Sequence, residues 1–192
     1  MEVEAGGAVE RARSGDSDAF RLLVEQHSRG IFRLAFRMTG NEQDAEDVVQ
    51  ETFLRAYKQL DRYEARSSFS TWLYRIASNY SLDLMRMRKR HESRREHGTD
   101  EDQRDILQSI PLDTPGPDRL MYGEEVKEKV NAAMDELSAQ ERTAFVLRHF
   151  EGMCMEEVSR VLDCQPGAAK HSVFRAVQKL RRALEPVVSA AK

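Results

Sequence analysis

Lys170, His171, Ser172, Phe174 and Arg175 stand close together in a helix-forming stretch near the end of the chain. Ala169, Val173, Ala176, Val177, Leu180 and Leu184 recur there at helical spacing and predict the buried stripe. Phe174 and the two cations fall mostly outside that stripe. An aromatic ring off the buried face can touch a thymine methyl, while Lys170 and Arg175 can reach phosphates or guanine edges. Lys179, Arg181 and Arg182 continue the basic stretch. Upstream, Met155 to Leu162 reads as a short amphipathic helix, and Asp163-Cys164-Gln165-Pro166-Gly167 reads as a tight turn. Pro166 suits the first turn of the following helix, where its missing N–H costs nothing. A short helix, a turn and a longer basic helix lay the second helix in a major groove. The same pattern also fits an ordinary helical hairpin with a solvated basic face.

A second constellation mixes aromatic and basic residues. Phe69, Trp72, Tyr74 and Tyr80 interleave with Arg66, Arg75, Arg86 and Arg88, and Ser67, Ser68, Ser70 and Thr71 add small hydrogen-bonding groups. Such a surface suits single-stranded DNA, whose bases stack on rings or enter pockets while cations follow the backbone. Trp72 and Tyr80 serve equally well as core residues. A third constellation is the acidic face Asp44, Glu46, Asp47, Gln50 and Glu51, with Leu54 exposed among the charges. Acids early in a helix favour its dipole without any further role; a lone apolar residue on a charged face can instead mark a partner site.

These groups need helices to hold them. Ser14-Gly15-Asp16-Ser17-Asp18 offers N-cap candidates, and Phe20, Leu23, Val24, His27, Ile31, Leu34, Ala35 and Met38 follow at helical spacing. Thr39-Gly40-Asn41 is a stop signal. Ala45, Val48, Val49, Thr52, Phe53, Ala56, Tyr57 and Leu60 predict the buried stripe of a second helix, and Leu73, Ile76, Ala77, Tyr80 and Leu84 that of a third, after a loop over 61–70. Ser138-Ala139-Gln140-Glu141 is a capping box that opens a helix ending near Glu151-Gly152. Residues 1–15 lack periodicity and are expected to be disordered.

The chain has 192 residues with 40% hydrophobic and 33% charged, only 5 prolines and 10 glycines, a balance that predicts a soluble all-α protein. The formal net charge of −3 averages over two basic blocks separated by an acidic run with Asp100, Glu101, Asp102, Asp105, Asp113 and Asp118. Two nucleic-acid contacts and a linker are the expected consequence. Pro111, Pro115 and Pro117 with few large apolar residues make that linker flexible. Cys154 and Cys164 give no disulfide framework, and are expected as small buried apolar residues in a reducing cytoplasm. No signal peptide or membrane-spanning run is apparent. There is no phosphate-cradling glycine loop and no glycine-flanked nucleophilic serine. His149, Cys154, Cys164 and His171 fit no common zinc spacing. No enzyme, metal or cofactor is expected.

At these residues the sequence resembles the extracytoplasmic-function (ECF) sigma factors of the sigma-70 family. Asp44 to Tyr57 is similar to the family's core-polymerase-binding helix, and Ser67 to Asn79 to its −10-recognition loop and helix. Leu137 to Leu184, with Arg148, Glu151-Gly152, Glu156-Glu157-Val158 and Gly167 to Ala176, is similar to its −35-reading domain. The resemblance implies a disordered tail (1–15), a sigma2-like domain (16–92), an acidic linker (93–123) and a sigma4-like helix-turn-helix domain (124–187). It implies that Asp47, Gln50, Glu51 and Leu54 dock on the β′ coiled coil of core RNA polymerase. It also implies that Tyr63, Arg66, Ser67, Ser68, Phe69, Trp72, Arg75, Asn79 and Arg86 act at the −10 element, with a base flipped into the loop. Lys170, His171, Ser172, Phe174, Arg175 and Lys179 would act at the −35 element. Further partners so implied are the polymerase β subunit, promoter DNA and an anti-sigma factor, without membrane insertion. The sequence departs from the family at Glu64-Ala65, where arginine-glycine is frequent, at His171-Ser172, and at the short helix's cap around Cys154-Met155. Outside the resemblance, a free-standing helix-turn-helix regulator that dimerises on a palindrome remains the principal rival reading. A nucleic-acid-processing enzyme and a pure protein-interaction module are more distant ones.

Overall fold

Helices in this protein begin where a side chain can answer the backbone N–H groups that a first turn leaves unpaired. In the computed structural model, which describes residues 2–95 and 129–190, all regular elements among those residues are helical. Asp16 accepts from the Ala19 N–H at 3.0 Å and opens α2 (Ser17–Thr39), after α1 (Glu2–Arg13). Gly40 closes α2 with φ +70°, a left-handed turn that favours glycine. Asn41 then caps α3 (Glu42–Gln59) through the Asp44 N–H at 2.9 Å. A 3₁₀ turn, Leu60–Arg62, leads into the loop before α4 (Phe69–Arg95), whose cap is the Ser68 hydroxyl accepting from Thr71 N–H.

Helices α2, α3 and α4 enclose the first core, with Leu23, Ile31, Leu34, Met38, Val48 and Leu73 fully buried. Each such side chain contributes about 1.5–3 kcal/mol by leaving water. The second module contains α5 (residues 129–135), α6 (Ala139–His149), α7 (Met155–Val161) and α8 (Pro166–Ala190). Its core includes Ala133, Met134, Leu137, Val146, Leu147, Val158, Val161, Ala169, Ala176 and Leu180. The capping box at the start of α6 is present in both directions: Ser138 N–H donates to Glu141 Oε2 at 2.8 Å, and Glu141 N–H to Ser138 Oγ at 3.3 Å. Two helical modules are therefore present as expected, and they touch, α2 against α6 and α4 against α7. The proline-containing acidic linker lies outside the described residues, and α4 runs on to Arg95.

Four expectations need correction. Residues 1–15 were expected to be disordered, yet α1 is helical and buries Val9 and Ala12. Two small residues three apart are enough to seat one edge of a helix against α2, but too few to register as periodicity. Asp44 belongs to the interior and not to the exposed acidic face; Arg88 from α4 donates to its Oδ1 at 2.7 Å. Tyr57, expected in the buried stripe, is 60% exposed and sits edge-on to Phe20 at the margin of the α2–α3 contact. Cys154 is likewise exposed, because it is the N-cap residue of α7; its backbone N–H donates to Glu157 Oε2 at 2.8 Å.

Candidate nucleic-acid interface

The loop between the 3₁₀ turn and α4 is organised by its own side chains. Tyr63 donates its phenol to the Ser67 carbonyl at 2.6 Å, and burial raises the pKa of that phenol, so it stays a donor. Ala65 holds φ +53°, a left-handed conformation that costs a residue with a Cβ about 1–2 kcal/mol. A glycine at this position would adopt the same turn without that strain. Arg66 and Glu64 pair at 2.6 Å in solvent. The Ser68 hydroxyl is shared with Ser70 and Thr71 at 3.0 and 2.8 Å.

Under this loop lies an aromatic floor. The Phe69 ring is 5% exposed and stands 5.5–5.6 Å from the rings of Tyr63, Trp72 and His27. Phe69 thus shapes the loop from below, out of reach of a base, whereas Tyr63 and Trp72 are only half-buried. His27 reads in the sequence only as one residue of the α2 stripe. It is half-buried, its Nε2 has no hydrogen-bond partner within the chain, and desolvation lowers its pKa. Along α4, Arg75, Asn79 and Arg86 are exposed. Arg86 pairs with Asp83 at 3.3 Å, Arg75 reaches Asp163 in the second module at 2.9 Å, and Arg88 is committed to Asp44.

On α8, Lys170, His171, Phe174 and Arg175 project into solvent, and Phe174 is 59% exposed. The other side of the helix is anchored by Ala169, Ala176 and Leu180. Asp163 makes the turn that aims α8, with φ +52°, which aspartate tolerates better than most residues. Two of the expected contact residues stand apart. Ser172 donates its hydroxyl to the Ala168 carbonyl at 3.1 Å. Lys179 donates to Glu141 Oε2 at 2.7 Å and joins α8 to α6. Burial opposes the charge of Glu141, yet Lys179 and the Ser138 bonds hold its pKa below the usual carboxylate range.

Asp47, Gln50 and Leu54 share an exposed face of α3, with Leu54 47% exposed. Glu51 sits beside them, half-buried, accepting from Arg55 at 2.6 Å, and the Arg55 guanidinium lies 4.8 Å above the Tyr80 ring. Tyr57 extends the apolar part of this face, a contribution hidden in the sequence because a tyrosine at that spacing reads as core. Among the described residues no cluster of His, Cys, Asp and Glu could hold a metal ion, and no helix is long and apolar enough to cross a membrane.

Comparison with known proteins matches this division. Residues 23–91 match the sigma-70 region 2 family model and residues 127–180 the sigma-70 region 4 model. The RNA polymerase sigma-H factor of Pseudomonas aeruginosa is 33% identical over 183 residues, 95% of both chains. The ECF RNA polymerase sigma-E factor of Escherichia coli is 32% identical over 187 residues, 94% of both. Among solved structures, CnrH in complex with the cytosolic domain of CnrY aligns with TM-score 0.66 and 26% identity, covering 93% of this chain and 96% of CnrH. The chain belongs to the sigma-70 family, in its ECF group. It is a sigma factor, which joins core RNA polymerase and directs promoter-specific initiation, with region 2 at the −10 element and region 4 at the −35 element.

Proposed function

We propose that the exposed row Lys170, His171, Phe174 and Arg175 reads the −35 major groove. The observation that carries this reading is a row of cations and one aromatic on the solvent side of a helix whose opposite side is anchored in a core. Phosphate contacts by the cations fix register, and base-edge and methyl contacts supply sequence preference. Ser172 and Lys179 belong to the same helix and act at its margin.

At the other element, Tyr63, Arg66, Ser67, Ser68 and Trp72 form the rim that receives a base flipped from the stack. Phe69 and His27 support it, and Arg75, Asn79 and Arg86 follow the strand. Unstacking a base costs a few kcal/mol, which the pocket contacts must offset. Asp47, Gln50, Glu51, Leu54 and Tyr57 form the face for the β′ coiled coil of core polymerase, and the β subunit completes the complex. The functional domains are 16–92 and 124–187, with 93–123 as the linker between them. The protein works in the cytoplasm and catalyses nothing itself; polymerase does the chemistry. CnrH was solved with the cytosolic domain of CnrY, and an anti-sigma protein of that kind is the inhibitory partner proposed for this chain.

Site-specific photo-crosslinking tests the assignment. With p-benzoylphenylalanine at position 174 or 66 in a holoenzyme on a promoter fragment, the expected crosslinks fall in the −35 and −10 elements respectively. Crosslinks from both positions to a single element, or from neither to DNA, would overturn it.

A further inference from the structure

Glu151, in the turn between α6 and α7, is a carboxylate held almost wholly out of water; its side chain is 4% exposed. Its partners all come from the other module. Arg37 of α2 donates to its Oε1 at 3.0 Å, and Tyr74 of α4 donates its phenol to Oε2 at 2.7 Å. The Arg33 guanidinium lies 3.7 Å from the same Oε2. The notch is built closely around these groups. A Cβ on Gly30 would stand 2.8 Å from Tyr74 Oη, so the glycine makes room for the phenol. The Phe150 ring covers the Arg37 guanidinium at 4.4 Å. Burial, and then the charge and hydrogen bond of Glu151, raise the pKa of the Tyr74 phenol, which keeps it a donor. Nearby, buried Arg142 of α6 donates to the Arg37 carbonyl at 3.1 Å and so satisfies the C-terminal end of α2.

Two guanidinium groups and a phenol converging on both oxygens of one anion make an anion site, and the same donors suit a phosphate. The contacts that fill it also hold α4 against the second module. Arg75, on the DNA-reading stretch of α4, pairs with Asp163 in the turn just before α8 at 2.9 Å. Bound to promoter, these modules serve elements with centres about 25 base pairs apart, on the order of 80 Å of B-DNA. Lys170 lies seven residues past Asp163, at most ~25 Å of chain, so the Arg75–Asp163 contact at 2.9 Å holds the two reading surfaces far closer than that. The contacts must break for both elements to be read, and breaking them uncovers the notch beside the −10 helix.

We propose that Arg33, Arg37 and Tyr74 form a phosphate-binding notch that Glu151 fills as an internal ligand while the modules are closed, and that a promoter backbone phosphate takes it when they part. The proposal rests on the assignment of the α4 surface to promoter DNA. It makes Glu151 a brake: the internal carboxylate lowers DNA affinity in the free protein, and core polymerase, by separating the modules, releases the notch.

The test uses the full-length chain in two states. In the free protein, Glu151→Gln, Arg37→Ala and Tyr74→Phe should each increase the radius of gyration measured by small-angle X-ray scattering. In holoenzyme, where the modules are already apart, Glu151→Gln should bind a labelled promoter fragment as wild type does. Arg37→Ala should lose about tenfold and Tyr74→Phe about threefold in affinity. Arg37→Ala should also lower the slope of log K against log salt by about one, as expected for one lost phosphate contact. Tyr74→Phe removes a single oxygen and guards against misfolding as the cause. Arg37→Ala holoenzyme with wild-type affinity and salt slope would overturn the phosphate site, and unchanged scattering by Glu151→Gln would overturn the brake. Failure of the wild-type chain to bring core polymerase to the fragment would overturn the underlying assignment, and it would be evident before any variant is compared.

Discussion

Phe174→Ala separates folding from recognition on α8. Full burial of a phenylalanine is worth about 1.5–3 kcal/mol. With 59% of the residue exposed, roughly 1–2 kcal/mol of that remains for a surface that covers the ring. The part already covered is worth about 1 kcal/mol to folding, and the higher helix propensity of alanine returns about half of that. Phe174→Ala should therefore cost less than about 1 kcal/mol in urea unfolding. Leu180→Ala, on the opposite side at 8% exposure, should cost about 2–5 kcal/mol. In holoenzyme, Phe174→Ala should weaken binding to a promoter by about five- to thirtyfold, the same 1–2 kcal/mol expressed as a ratio. The loss should shrink when the −35 thymines are replaced by uracil, which lacks the methyl. Competition binding on matched and substituted fragments, beside denaturation of both variants, reads both numbers. A Phe174→Ala protein that loses 3 kcal/mol of stability, or that binds every fragment like wild type, would refute the reasoning.

Other perturbations reach other parts of the molecule. Leu54→Asp places a charge in the apolar centre of the α3 face and should reduce capture of core polymerase by at least tenfold, read by titration of labelled protein, with little loss of stability because the residue is exposed. Burial holds the His27 imidazole below its ordinary value of 6.5, so the unfolded chain takes up the proton first. The contribution of neutral His27 is complete above about pH 6.5 and is lost as pH falls through the folded value. Unfolding free energy should thus decline between about pH 7.5 and 5.5, and His27→Gln should flatten that decline in denaturation series. Ser138→Ala removes the α6 cap and should cost about 1 kcal/mol, read as a lower urea midpoint with unchanged slope.

The readable part of this protein was the part written in local chemistry. The run Ser14 to Asp18 and Ser138 announce helix starts because a cap acts on its own first turn, and the α8 stripe is visible because a helix repeats its buried face; Asn41, legible only as part of a stop signal, also caps α3. Phe174 could be picked out for the same reason: a ring at an off-stripe position has no partner on its own helix. Relations between elements were not readable. Asp44 looks like one more acid in an acidic run until α4 brings Arg88 against it. Tyr57 looks like core until Phe20 proves to cover only its edge. Val9 and Ala12 carry too little periodicity to signal a helix that packs sideways on α2. Glu151, at a helix stop, gives no hint that its three partners lie in the other half of the chain. Trp72 and Tyr80 were open between core and contact surface; both are half-buried, as Tyr63 is, while Phe69 lies beneath them in the core.

Run-off transcription with purified core polymerase, with and without this protein, on a library of promoter fragments tests the central claim most directly. Transcripts that depend on the protein and share two spaced sequence elements are the predicted result. An active core that gives no protein-dependent transcript, while the protein alone binds palindromic duplex tightly as a dimer, would contradict the account.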